Sequence, residues 1–251
     1  MIINSPPSSS PSTLPSIRKR GAFILLEGVD RCGKTTQCSL LLKHLLSLSL
    51  AAVAFRFPDR TTSVGQVINN YLTSSSNKND LSDQAIHLLF SANRWEVAPK
   101  LAQNLANGNH IVCDRYAYSG VAFTSAKENK EVSNNLEWCM NPDKGLPAPD
   151  VVIFLDLSQE EAEKRGGYGG ERYEKRDLQK RVRNRFSELQ SMDERLNIVP
   201  WHIIDASQTI EDVQKDISSI VNDTITSVSN GKPLMKMWED GYFPLPEPND
   251  P

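Results

Sequence analysis

Apolar residues along this chain fall into short continuous runs, separated by stretches in which they recur at three- and four-residue steps. The runs are "AFILLE" at 22–27, "AVAFRF" at 52–57, "HIVCDRY" at 110–116, "DVVIFLDL" at 150–157 and "WHIIDA" at 201–206. Runs of that kind predict strands, and "AFILLE", a continuous apolar run ending in glycine, predicts one buried on both faces. Leucines at helical spacing follow "GKTT" over 34–48, and the same periodicity covers 63–72, 81–105, 176–196 and 209–225. Strands alternating with helices predict an α/β fold with a parallel sheet covered on both sides. Two segments fall outside the pattern. Residues 1–20 are rich in Ser and Pro and lack acids, which predicts a disordered tail. Residues 231–251 hold too many prolines for regular structure and predict a tail or a strap over the surface, leaving one domain at 21–230.

Composition narrows the function classes. The chain has 251 residues, enough for a substantial core, and a formal net charge of −3 with acids and bases interspersed. No basic stripe stands out, so nucleic acid is excluded as a partner. Cys32, Cys38, Cys113 and Cys139 form no CxxC pair and no metal-ligand spacing with the histidines, the usage of a reducing compartment. A cytoplasmic protein is the expectation, with the nucleus also open and organelle targeting by residues 1–20 not excluded. The most apolar stretch, "LLSLSLAAVAF" at 45–55, is about half the length a bilayer requires, so no membrane span is expected. Trp95 and Trp138 read as core residues.

Chemistry concentrates in "EGVDRCGKTT" at 27–36. Gly28-x-x-x-x-Gly33-Lys34-Thr35 matches the phosphate-binding loop in full, directly after a buried strand and directly before a helix. Backbone N–H groups and the helix N-terminus then face an anion. Lys34 reaches the β- and γ-phosphates, and Thr35 offers a hydroxyl to Mg²⁺. A guanine-specific switch protein is disfavoured. "NKND" at 77–80 has the guanine-reading spacing but sits in a polar connection, and the third strand ends "CDRY" rather than in an acidic switch. Arg31, Lys34, Arg60, Arg94, Arg115 and the basic residues of 164–172 are more cations than one triphosphate needs. They suit a donor polyphosphate facing an anionic acceptor.

"FILLEGVDRCGKTTQ", "FPDRTT", "HLLFSANRWE", "DRYAYSGVAFTSAK", "GLPAPDVVIFLDL", "KRGGYGGERYE" and "KPLMKMW" together resemble the thymidylate kinases, of the nucleoside monophosphate kinase group, over most of 21–240. The resemblance implies a five-stranded parallel sheet flanked by helices with a mobile lid at about 164–174. It implies ATP and Mg²⁺, dTMP as acceptor, dTDP and ADP as products, and a homodimer. Arg31 is similar in place to the catalytic arginine of the kind that carries it in the phosphate loop, as the eukaryotic enzymes do. Phosphoryl transfer between two anions leaves positioning and charge neutralisation as the protein's work, which gives such an arginine its reason.

Further roles come from the same resemblance. Gly28, Arg31, Cys32, Gly33, Lys34, Thr35 and Thr36 would bind ATP. Asp30 would hold the 3′-hydroxyl of the acceptor sugar, and Arg60 and Arg115 its phosphate. Phe90 would stack on thymine while Arg94 bonds the base edge. Ser119, Gly120 and Phe123 would wall the base pocket, Tyr173 would lie where a 2′-hydroxyl would sit, and Gln179 would be another polar acceptor-side residue. Arg165 is the lid's candidate for the donor phosphates. Asp114 would act on Mg²⁺ through water rather than as a general base, because the attacking phosphate oxygen is already ionised. A deoxynucleoside kinase and a non-catalytic nucleotide-binding switch stay open as alternatives.

Overall fold

A computed structural model describes residues 19–73, 81–129, 135–165, 172, 173 and 175–249. Its strands are β1 (Phe23–Gly28), β2 (Ala52–Arg56), β3 (His110–Asp114), β4 (Val151–Asp156) and β5 (Trp201–Asp205). The helices are α1 (Lys34–Ser47), α2 (Ser63–Thr73), α3 (Asp83–Ala106), α4 (Ala117–Ser125), α5 (Leu136–Met140), α6 (Gln159–Lys164), α7 (Arg176–Leu196) and α8 (Ile210–Ser229). The strands form one all-parallel sheet in the order β2-β3-β1-β4-β5. This is the five-stranded parallel sheet flanked by helices that the resemblance implies.

Alternation in the central strands divides the core in two. Phe23 and Leu25 of β1 and Val152 and Phe154 of β4 face α3, α4 and α7, which contribute Leu101, Val121 and Phe186. Ile24, Leu26, Val151, Ile153 and Leu155 face α1 and α8, met by Leu41, Leu45, Val213 and Ile217. Both faces of β1 are therefore dry, and its carboxyl end delivers Gly28 into the crevice where ligands of open parallel sheets bind. Ser82 and Thr209 cap α3 and α8 through their side-chain oxygens, as Ser and Thr do at helix starts.

Three features depart from the sequence reading. Helix α4 was not marked by periodicity, because eight of its nine residues are buried and no polar face exists to set a period. Trp95 is 42% exposed on the outer side of α3, with its indole N–H donating to Pro142 O at 2.7 Å, so it is not a core residue. Trp138 is half-buried against His87, with ring centroids 5.1 Å apart. The proline-rich end runs across the molecule as a strap and also reaches inward. Leu234, Met237 and Trp238 join the core, and Met237 exchanges backbone hydrogen bonds with Leu146 and Gly145 at 2.7 and 2.9 Å. Arg20 fixes the other boundary through two bonds to Asp150, at 2.8 and 2.7 Å, and one to Lys232 O.

Candidate active site

The phosphate loop takes its shape from residues with left-handed backbone. Gly28 (φ 148) and Gly33 (φ 96) bracket it. A Cβ on Gly28 would stand 2.6 Å from Leu155 O and 2.7 Å from Cys32 Sγ, so only glycine fits there. Gly33 is the N-cap of α1, and neither a side-chain cap nor an acid occupies that helix's first turn. Its leading N–H groups and dipole are thus left to an anion. Lys34 is buried along its stem, with Nζ donating to Val29 O at 2.6 Å and lying 3.4 Å from Cys32 Sγ. Thr35 Oγ1 donates to Asp114 Oδ2 at 2.6 Å, so hydroxyl and carboxylate meet where α1 faces the end of β3.

Arg115 follows at a left-handed position (φ 68). Its Nη1 donates to Gly28 O and Ser119 Oγ, both at 3.1 Å, while Nη2 pairs with Asp30. Burial opposes the charge on this guanidinium, and the carboxylate of Asp30, then those of Glu27 and Asp114, more than restore it. Gln179 of α7 completes the group: its Nε2 donates to Asp30 Oδ2 at 2.6 Å and its Oε1 accepts Asp30 N–H at 3.1 Å. Phe123 lies under the Arg115 guanidinium, 5.2 Å from Cζ, and stacks tilted on Tyr173 with centroids 5.7 Å apart.

Arg94 is 2% exposed and bidentate on Asp143, through Nε at 2.9 Å and Nη2 at 2.6 Å. Gly120 passes so near that a Cβ would stand 2.7 Å from Arg94 Nη2. Phe90, half-buried, packs with Ile68, Leu72, Ile86 and Tyr173. Arg60 Nη1 donates to Asn69 Oδ1 at 2.9 Å. At the opposite end Arg165, directly after α6, donates to Arg31 O at 3.3 Å and to Ala206 O.

One cavity of about 800 Å³ joins these groups. The phosphate-loop residues from Asp30 to Thr36 line it, as do Arg60, Phe90, Arg94, Asp114, Arg115, Ser119, Gly120, Phe123, Arg165 and Tyr173. Gly28 and Gln179 do not; Gln179 bears on the site through Asp30. Sequence reasoning missed the wall after β5, where Ala206, Gln208, Ile210 and Val213 face the phosphate loop and Gln37 Nε2 is tied to Ile210 O at 3.0 Å. It also missed Asp143 and Tyr116. Only spatial pairing reveals the first of these, since Asp143 and Arg94 are 49 residues apart in sequence. The "NKND" stretch and most of the expected lid, 166–171 and 174, lie outside the described residues.

Comparison with known proteins agrees with this geometry. The family model described as thymidylate kinase matches residues 26–217. A thymidylate kinase of Danio rerio is 51% identical over 220 residues, covering 88% of this chain and 98% of that protein. The Homo sapiens thymidylate kinase is 46% identical over 221 residues, covering 88% and 99%. Among solved structures, a thymidylate kinase from Candida albicans superposes with a TM-score of 0.76 at 39% identity, covering 87% of this chain and 98% of that one. The chain belongs to the thymidylate kinase family.

Proposed function

We propose that the cavity holds ATP along the phosphate loop and dTMP against Arg94, Arg115 and Phe90, with the two phosphate chains meeting beside Arg31. As a thymidylate kinase the protein transfers the terminal phosphoryl group of ATP to dTMP, giving ADP and dTDP for dTTP synthesis. The observation that carries the residue assignment is the continuity of the cavity from a phosphate loop to a second arginine cluster. A nucleotide switch has no use for the second cluster. A deoxynucleoside kinase needs a base after β2, yet among the described residues the acids lining the cavity are Asp30 and Asp114, and the Asp59 carboxylate instead accepts from Thr61.

Each residue then has a task. Lys34 and the α1 N-terminus bind the β- and γ-phosphates. Arg31 neutralises charge between the approaching phosphates, and Arg60 and Arg115 orient the acceptor phosphate through forked guanidiniums. Asp30, already bonded to Arg115 and Gln179, presents its carboxylate to the sugar 3′-hydroxyl. Arg94 reads the thymine edge from a position that Asp143 locks, and Tyr173 closes the sugar side. Thr35 and Asp114 would hold Mg²⁺, the carboxylate through water. Their contact, with no cluster of three metal-ligating side chains among the described residues, fits an ion that keeps most of its own hydration. Mg²⁺ supplies charge neutralisation on the donor phosphates. The wall from Ala206 to Val213 offers the donor base a surface, and Arg165 opens the lid segment beside it.

The catalytic unit is read as 21–230 with the lid at 164–174, and 231–251 strapped onto it. A homodimer is supported by α3, where Leu88 (50% exposed), Ala92, Trp95 and Pro99 recur at helical spacing as an exposed apolar stripe. A cytoplasmic setting is supported by four cysteines that are all free and buried. No helix among the described residues is long and apolar enough to cross a membrane. The deciding experiment is coupled ADP release with MgATP and, separately, dTMP, dUMP, dCMP, dGMP, AMP and thymidine. Turnover strongest with dTMP, weaker with dUMP and absent with thymidine is expected. Turnover led by thymidine or AMP would overturn the acceptor-side assignments.

A further inference from the structure

Glu27 has no part in the chemistry above, yet it is a fully buried carboxylate in the central strand of the sheet. Burying an ionised carboxylate is costly unless hydrogen bonds replace its water. Burial does push this carboxyl above its ordinary value, against the pull of Arg115. Both oxygens are committed to one short segment. Oε1 accepts the backbone N–H of Tyr116 at 2.9 Å and of Ser119 at 3.1 Å, and Oε2 accepts the Ser119 hydroxyl at 2.6 Å.

Tyr116 is the N-cap of α4 and Ser119 stands three residues further on, while Tyr116 itself provides no side-chain cap. These are the two N–H groups that a capping box satisfies from within a helix's own sequence. Here the acceptor comes from β1, 89 and 92 residues earlier in the chain.

The segment so held carries Arg115. That residue has a left-handed backbone that side chains with a Cβ rarely adopt, so its surroundings must fix it. Its N–H donates to Leu26 O at 3.1 Å, and its Nη1 donates to Ser119 Oγ at 3.1 Å. Ser119 Oγ accepts from Arg115 and gives its own proton to Glu27, so the bonds run one way, from Arg115 through Ser119 to Glu27.

We propose that Glu27 is a positioning residue for the acceptor: acting through the α4 cap and Ser119, its carboxylate sets the Arg115 guanidinium where the acceptor phosphate is gripped. The inference rests on the role given to Arg115 above. Glutamine at this position keeps an oxygen for the two backbone N–H groups. It turns an NH₂ toward Ser119 Oγ, which reverses that bond, and it removes the charge facing Arg115.

The test is Glu27→Gln in the full chain, with dTMP and ATP varied separately and thermal unfolding followed alongside. The dTMP KM should rise about tenfold or more while the ATP KM stays within about threefold, since a charge-assisted bond on the acceptor side alone is lost. A lowered Tm with no split between the two KM values would mean a merely structural role and overturn the proposal. If the glutamine variant does not fold, Glu27→Asp decides by the same split, because it keeps the charge and withdraws the carboxylate from Ser119. The unaltered chain in the same assay separates the two readings. Failure of that chain to phosphorylate dTMP overturns the reaction and the proposal together, whereas dTMP turnover with unsplit variant kinetics overturns the role of Glu27 alone.

Discussion

Replacing Gly120 by alanine sets two effects of opposite sign against each other. Gly120 lies inside α4, where alanine is favoured by about 1 kcal/mol on helix propensity alone. A Cβ there would stand 2.7 Å from Arg94 Nη2, 3.0 Å from Nη1 and 3.1 Å from Cζ, all inside ordinary contact, which begins at 3.4 Å. The guanidinium cannot move aside freely, because Arg94 is 2% exposed and Nε and Nη2 are both committed to Asp143. Overpacking of this kind costs about 1–3 kcal/mol, and losing one charge-assisted bond to Asp143 adds about 1.5–3 kcal/mol. Set against the propensity gain, a net loss of about 1.5–5 kcal/mol is expected, or about 3–20 °C in Tm for a chain of this size. Thermal unfolding reads that directly. Steady-state kinetics should show the displaced Arg94 as a dTMP KM raised about tenfold or more, with the ATP KM within about twofold. A variant stabilised by about 1 kcal/mol, with its dTMP KM unchanged, would refute the reasoning, since the overlap would then have been absorbed without moving the arginine.

Three further outcomes are expected. Arg31→Ala should lower kcat about 10²-fold or more while nucleotide affinity stays within about tenfold, and near-normal turnover would remove the role given to that arginine. Glutamate at Leu88 and Trp95 together should convert a dimer to a monomer in light scattering, because both side chains are about half exposed on one face of α3; an unchanged mass would place any interface elsewhere. Asp193 is buried, accepting Tyr118 Oη and Trp201 Nε1, and burial raises its carboxyl to about 6 from 3.8. Between those values the folded state keeps a proton that the unfolded chain has released, so stability is higher below the window and falls as pH rises through it. The loss is up to about 3 kcal/mol. Denaturant unfolding of Asp193→Asn should lose that fall between about pH 4 and 7. His87, whose imidazole burial lowers to about 4, contributes the opposite slope but is common to both proteins and cancels in the comparison.

How much of this was legible in the sequence follows from how each contact is written along the chain. The phosphate loop was fully readable, because its glycines, lysine and hydroxyl are contiguous and sit between two elements whose own patterns are clear. The central strands β1, β3 and β4 were readable for the same local reason, since strands covered on both faces are written as nearly unbroken apolar runs, whereas the edge strands β2 and β5 keep exposed residues. Strand β3 nonetheless ends at Asp114 rather than running to 116, because the left-handed turn at Arg115 breaks the ladder and no composition signal marks it. Helix α4 hid behind the opposite problem, a segment so buried that it offers no period. The residues proposed for the acceptor were legible only through family resemblance, since nothing local distinguishes Phe90 or Tyr173 from packing aromatics. The groups that hold those residues in place were not legible at all. Asp143 locks Arg94 across 49 positions, and Glu27 caps α4 across 92. A carboxylate inside an apolar strand, as in "FILLEG", is the one local trace such pairings leave. An acid placed where burial penalises it implies a partner that only the fold can supply.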